Sequence, residues 1–286
     1  MASLRQIKRR MKSIENIHEI TKAMEMIAAF RFKKAEGRFS RSRAYLLEME
    51  NILSNLSAAA PNLSHPLFEK RKGFKKTLVV MTGDKGLCGA YNANILRATN
   101  HWLKENRDGE VSFVPVGKVG YETLKKRQFP LAAFYPEKAL ADLDLAKKIT
   151  EDMKNIFLKK QADSIELLYT SYRTGGTGQN KTIPFLPLNY LIEGRKTKGS
   201  PIDYIYEPDF NGVFFSLLEK FLEGKMYLTL LESLTSEYSA RMIAMKQATE
   251  NGEEVLDDLR LLRNKTRQAT ITRELSEIVG GASILV

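Results

Sequence analysis

Apolar residues recur at helical spacing toward both ends of the chain and at strand spacing between them, so the sequence predicts a helix, an α/β segment and a second helix. From Leu4 to about Leu56 the only glycine is Gly37 and there is no proline, which predicts one very long helix. Leu4, Ile7, Met11 and Ile14 step by three and four, and Ile17, Ile20, Met24 and Ile27 do so again after one extra step of three. That is a heptad seam with a local phase shift, as in a coiled coil whose winding changes along its length. About fifty helical residues at 1.5 Å each reach roughly 75 Å, longer than a compact domain of this size, which favours a coiled coil over a helix lying on a core.

Pro61 and Pro66 end that pattern. Between 76 and 189, strand-like runs at 77–82, 111–117, 131–135 and 165–172 alternate with helical runs at 92–106, 121–126 and 139–160. Such alternation predicts a largely parallel, Rossmann-like sheet with helices against it. "RTGGTGQNKT" joins 165–172 to a further strand run at 182–188 and reads as a hairpin loop. After "EPDFNG" a second long helix is predicted from Val213 onward. Its seam reads Tyr238, Met242, Met245, Ala248, Gly252, Val255, Leu259, Leu262, Thr266 and Ala269. The predicted fold class is therefore an α/β insert domain plus a long antiparallel two-helix coiled coil. Its segments are 1–58 (N-terminal helix), 74–192 (α/β domain) and 209–286 (C-terminal helix).

Charge changes this picture by adding a partner. The 286 residues carry a formal net charge of +11 with 43% apolar content, enough for a core. Residues 1–43 hold twelve Lys/Arg against four Asp/Glu, whereas 235–286 hold seven against eight, so the basic excess lies in the first helix. An acidic protein, a nucleic acid or an anionic membrane surface fits that excess. No apolar run approaches the eighteen residues of a bilayer span, and "MASLRQIKRRMKSIE" lacks the apolar stretch of a secretory signal. A soluble or peripheral protein is expected. Cys88 is alone, and His18, His65 and His101 are far apart, so neither a disulfide nor a zinc site is expected.

"TLVVMTGDKGLCGAYNANIL", residues 77–96, is the stretch that most resembles a nucleotide site, since the glycines of "RTGGTGQNKT" join two strands with no helix N-terminus behind them. A glycine-rich turn from strand to helix can offer backbone N–H groups to phosphate. Here Gly89 is followed by Ala90 and Tyr91 instead of the Lys-Ser/Thr pair of a phosphate loop, and Gly83, Gly86 and Gly89 do not read G-x-G-x-x-G. A tight strand-to-helix turn with Cys88 packed inside it is the preferred reading. Metalloprotease, paired-cysteine and serine-hydrolase signatures are absent. In "ENGEEVLDDLR" the carboxylates Glu250, Glu253, Glu254 and Asp257 read as a solvated helix face or a docking strip for a basic partner. No catalytic residue, metal or cofactor is expected.

Five stretches resemble the gamma subunit of the F-type ATP synthase. They are "ITKAMEMIAAFRFKKAE" (20–36), "GDKGLCGAYN" (83–92), "YEPD" (206–209), "SEYSARMIAMKQATENG" (236–252) and "NKTRQATITRELSEIVGGA" (264–282). They occur in the family's order over essentially the full length. The paired-cysteine segment of the redox-regulated chloroplast form is missing and no presequence precedes the match, so a bacterial origin is expected.

The resemblance implies a central rotor stalk with no catalytic site of its own. It couples ion flow through the membrane c-ring to conformational cycling of the catalytic beta subunits, at the cytoplasmic face of the bacterial inner membrane. The implied partners are the alpha and beta subunits as an alpha3beta3 hexamer, the epsilon subunit and the c-ring. Arg267 and Gln268 would engage a beta subunit as a polar catch, with Thr272 and Glu274 close by, and Met24 would pass the acidic lever of beta. Tyr206 and Glu207 would belong to the foot on the c-ring and epsilon, and the turn with Lys85 and Cys88 would face beta. Two other readings of the residues stay open here: a basic coiled-coil protein that binds nucleic acid, and a nucleotide-binding α/β enzyme.

Overall fold

A computed structural model describes residues 3–59, 65–71, 73–136, 142–173, 178–191, 207 and 209–282. Two helices dominate it: α1, Leu4–Ala59, and α5, Phe210–Ala282, of 56 and 73 residues. The strands between them are β1 Lys76–Met81, β2 Val111–Val116, β3 Ser164–Ser171 and β4 Gln179–Leu186. The shorter helices are α2 Tyr91–Glu105, α3 Lys118–Lys126 and α4 Leu143–Leu158. The chain divides into two compact units, one of Phe30–Ala240 and one of Met1–Ala29 with Arg241–Val286.

In the larger unit the four strands lie in the order β2-β1-β3-β4. β1 pairs in parallel with β2 and β3, and β4 returns antiparallel to β3. The near-continuous apolar runs of β1, β2 and β3 follow from a sheet covered on both faces. Alternate residues serve two cores. Val79, Met81, Val114, Val116, Ile165 and Leu167 pack with Ile149, Met153 and Phe157 of α4 and with Leu53, Phe214 and Phe221 of the long helices. Leu78, Val80, Phe113 and Leu168 pack with Tyr91, Ile95 and Trp102 of α2 and Leu124 of α3. α4 begins where Asp142 caps it, its carboxylate accepting from the Leu145 N–H at 2.8 Å.

The stretch 131–135, expected as a strand, makes only two isolated parallel bridges to β2, Phe113 with Leu131 and Val116 with Tyr135. Phe113 exchanges hydrogen bonds with Pro130 and Ala132, and Pro115 accepts from the Tyr135 N–H. Pro115 has no N–H to return, so the ladder breaks at its next rung.

In the smaller unit the start of α1 and the end of α5 pair antiparallel. Thr249 meets Thr21 and Gly252 meets His18, so the register runs in opposite senses on the two helices. Among the buried or half-buried positions at the start of α1, Leu4, Ile7, Met11, Ile14, His18, Thr21, Glu25 and Ala28 form an unbroken alternation of three and four, with half-buried Glu15 and Met24 flanking it. The phase shift expected at Ile17 is therefore absent from the contact. On α5 the seam is Met242, Met245, Thr249, Gly252, Leu256, Leu259, Arg263 and Thr266, with Thr270 half-buried one turn further on. This corrects the expected Val255 and Leu262, which stand 43% and 45% exposed, whereas Leu256 is 5% exposed. Both seams keep polar and small members, which lower the apolar area that each turn buries.

Candidate functional site

The apolar residues that the seam does not use form the outer surface of the coiled coil. On α1, Ile17, Ile20 and Ile27 lie within about 80° of one another around the helix and are roughly half exposed, with Met24 half-buried along the same stripe. Exposed Arg5, Lys8, Arg9, Arg10 and Lys12 precede them. On α5 every residue from 271 to 279 is exposed, and Ile271, Leu275, Ile278 and Val279 are among them. In the antiparallel register, Leu4 at the start of α1 lies opposite about residue 266, so 271–279 of α5 lie past the paired part of α1. Large exposed apolar patches of this kind mark surfaces that another protein covers.

The expected catch residues are all exposed, Thr272 and Glu274 on that stretch and Arg267 and Gln268 just before it. Helix geometry places Arg267 and Glu274 about 20° apart and Gln268 and Thr272 about 40° apart, on two adjoining faces. Thr272 Oγ1 donates to the Gln268 carbonyl at 3.0 Å and so is anchored to its own helix. Met24 is separate from them. It lies level with Met245 and Lys246, about 30 Å along the helix from Arg267 at 1.5 Å per residue. The acidic positions Glu250, Glu253, Glu254 and Asp257 are exposed, and Glu250 and Asp257 pair with Lys246 and Arg260 of their own helix.

The β1–α2 turn lies in the larger unit and is occupied by its own side chains. The Gly83 N–H donates to Asn92 Oδ1 at 2.8 Å, and Asn92 Nδ2 donates to the Cys88 sulfur at 3.3 Å. Asp84 takes the Lys118 N–H at the start of α3 at 3.1 Å. Thus the Gly83 N–H, one of the backbone donors that made the stretch resemble a phosphate site, serves to brace the turn. A Cβ at Gly83 would lie 3.0 Å from the Glu237 carboxylate of α5, so a larger residue there would push that side chain aside. Cys88 is buried, while Lys85 is exposed and Leu87 stands 60% exposed with φ at 60°. Glu207 is exposed before the start of α5, and Tyr206 lies outside the described residues.

A family model described as ATP synthase matches residues 3–285. The ATP synthase gamma chain of Heliobacterium modesticaldum is 36% identical, covering all of both chains, and that of Cupriavidus necator is 36% identical over 99% of each. The chain belongs to the ATP synthase gamma-chain family. A central-stalk chain of the Tetrahymena thermophila mitochondrial ATP synthase superposes with a TM-score of 0.60 at 25% identity, over 80% of this chain and 99% of that one. A chain from the Euglena gracilis mitochondrial ATP synthase shares the fold with a TM-score of 0.68 at 16% identity, covering 99% and 94%.

As a gamma chain, the protein is a central-stalk subunit, and this explains why its most distinctive surface is a rod instead of a cleft. The sequence pattern put Met24 and its stripe in the helix–helix seam, whereas the stripe faces outward. Ile17, Ile20 and Ile27 were readable as an outer face only by noticing that Leu4, Ile7, Met11 and Ile14 extend without a shift through His18, Thr21 and Glu25. Leu87 was missed altogether. A bulky residue with positive φ at the tip of a braced turn carries no signal in a single sequence.

Proposed function

We propose that this chain is the rotating shaft of its ATP synthase, turning with the c-ring and epsilon subunit inside a hexamer of alternating alpha and beta subunits, with catalysis in beta. The observation that carries this reading is the bare end of α5, where residues 271–279 are all exposed although four of them are large and apolar. Such a helix end needs a sleeve, and a sleeve that contacts it weakly at every angle allows rotation. In this reading Arg267, Gln268, Thr272 and Glu274 engage beta near the top of the shaft. Met24 and its stripe pass the acidic lever of beta, and the basic start of α1 is attracted to that acidic partner.

Tyr206 and Glu207 belong to the foot on the c-ring and epsilon in the same reading. At the β1–α2 turn, Lys85 and Leu87 meet beta while Cys88 supports the turn from within. Among the described residues no helix is long and apolar enough to cross a membrane, which fits a peripheral stalk anchored at the cytoplasmic face by its partners.

Reconstitution with alpha and beta subunits tests the proposal. A single copy per hexamer and stepwise rotation of a bead attached to the larger unit, driven by ATP, are expected. A chain that neither copurifies with the hexamer nor cross-links to beta from both α1 and α5 would overturn it.

A further inference from the structure

We propose that Lys225 is a modification site, whose amine accepts the acyl group of a small activated acyl donor, an acyl phosphate or a thioester, and seats that group in the pocket beside it. Lys225 lies half-buried on α5 at a pocket of about 130 Å³. Glu50 of α1, Tyr169 of β3, Ile183 of β4, Tyr190, and Phe221 and Glu232 of α5 line it. The amine's hydrogen-bond partners are both uncharged. It donates to the Pro184 carbonyl and to the Tyr190 hydroxyl, each at 2.6 Å, and lies 4.1 Å from the centre of the Tyr190 ring. Lys154 shows the contrast, since it bridges Glu151 and Glu219 at 3.1 and 3.0 Å and is held as an ammonium.

The electrostatics agree with the geometry. Desolvation pushes the Lys225 amine down to about 7 against the opposing pull of Glu50, and desolvation also draws the Glu232 carboxyl upward, toward its neutral form. Near neutral pH the amine therefore spends much of its time as free base, whereas a solvated lysine is almost wholly ammonium. Only the free base is a nucleophile.

The chemistry balances. The Nζ lone pair attacks the acyl carbon, the N–C bond forms, and the bond from that carbon to phosphate or thiolate breaks. The leaving group takes the electron pair, and the amine proton passes to solvent. The amide keeps one N–H, enough for the Pro184 carbonyl. At about 30 Å³ for each water, the pocket holds roughly four waters' volume, which suits an acetyl group.

The test incubates the full chain at neutral pH with acetyl phosphate in one arm and acetyl-coenzyme A in the other, and follows each lysine by peptide mass spectrometry. Lys225 is expected to be acetylated about tenfold faster than exposed Lys8 and Lys246 in at least one arm, with a rate that rises through a midpoint near pH 7. Labelling in one arm alone supports the site and names the donor class. A Lys225 rate no higher than those of Lys8 and Lys246 in both arms overturns the proposal. So does survival of the label on the same α5 peptide in Lys225→Arg.

Discussion

The Thr249 hydroxyl lies 3.0 Å from Thr21 Oγ1 across the coiled coil, sharing its one proton between that oxygen and the Met245 carbonyl of its own helix at 2.9 Å, and the Thr21 hydroxyl donates to the His18 carbonyl at 3.0 Å. A polar pair inside an otherwise weakly apolar seam fixes register more than it adds stability, because an apolar pair of the same shape fits the same space. Thr21→Val with Thr249→Val is expected to leave the opening free energy of 7–28, read by amide hydrogen exchange, within about 1 kcal/mol of the parent. The same double variant should broaden the distance distribution between spin labels placed on α1 and α5. A loss above about 2 kcal/mol with an unchanged distribution would show that the pair carries stability instead.

Leu256 and Val255 distinguish the observed seam from the one the apolar pattern suggests. Leu256 is buried in the pairing and Val255 faces outward. Leu256→Ala should destabilise the coiled coil by about 2–3 kcal/mol, whereas Val255→Ala should stay within about 0.5 kcal/mol. Hydrogen exchange of the surrounding turns measures both. Equal losses would mean that the two helices share the contact differently from the geometry described.

These two residues also show how much was legible. The helix, α/β and helix order, the parallel strands and the strand-to-helix turn at Gly83 followed from periodicity and glycine placement, since a doubly covered sheet and a proline-free coiled coil write strong patterns. The side of each long helix that faces its partner did not. α1 carries two apolar stripes, one through Met11 and Ile14 for α5 and one through Ile17, Ile20 and Ile27 that stays exposed, and periodicity alone joins them into one. The broken ladder at 131–135 depended on a proline in the neighbouring strand, a nonlocal cause. The pocket at Lys225 gathers residues from α1, β3, β4 and α5, which no local spacing reveals.

Asn92 braces the β1–α2 turn from within by accepting from Gly83 and donating to the Cys88 sulfur. Asn92→Leu leaves the buried Gly83 N–H without that acceptor, at a cost of about 1–3 kcal/mol. The expected signature is faster labelling of Cys88 by a maleimide, because the turn opens before the unit unfolds. Asn92→Asp retains the acceptor and should label more slowly than Asn92→Leu. Identical thiol kinetics in all three chains would remove Asn92 from this role.

His65 gives the larger unit a pH dependence. Its Nδ1 accepts from the Leu67 N–H at 3.2 Å, and its ring lies against Phe68 and Phe215. Burial lowers its pKa from the ordinary value, with Lys154 adding to the effect and Glu219 opposing it. The unfolded chain then binds the proton more readily than the folded one, so this contribution is present above the unfolded value near 6.5 and is lost as the pH falls through the lower folded value. His65→Asn keeps an acceptor at the same place and does not titrate. Its melting temperature should fall less than the parent's between pH 7.5 and pH 5, and parallel curves would contradict the assignment.

Arg267 and Gln268 provide the sharpest test of the shaft itself. Both are exposed on α5, level with the start of α1, so replacing them with alanine removes little packing and should change the chain's stability by no more than about 0.5 kcal/mol. If they form the catch on beta, the same double substitution in a reconstituted complex should lower ATP hydrolysis strongly while assembly is unimpaired. Met24→Lys should act differently, placing a charge at the apolar stripe below them and reducing protons pumped per ATP more than it reduces assembly. Hydrolysis in Arg267→Ala with Gln268→Ala that matches the parent would move the catch to 271–279, where Ile271 and Leu275 are large apolar side chains turned outward.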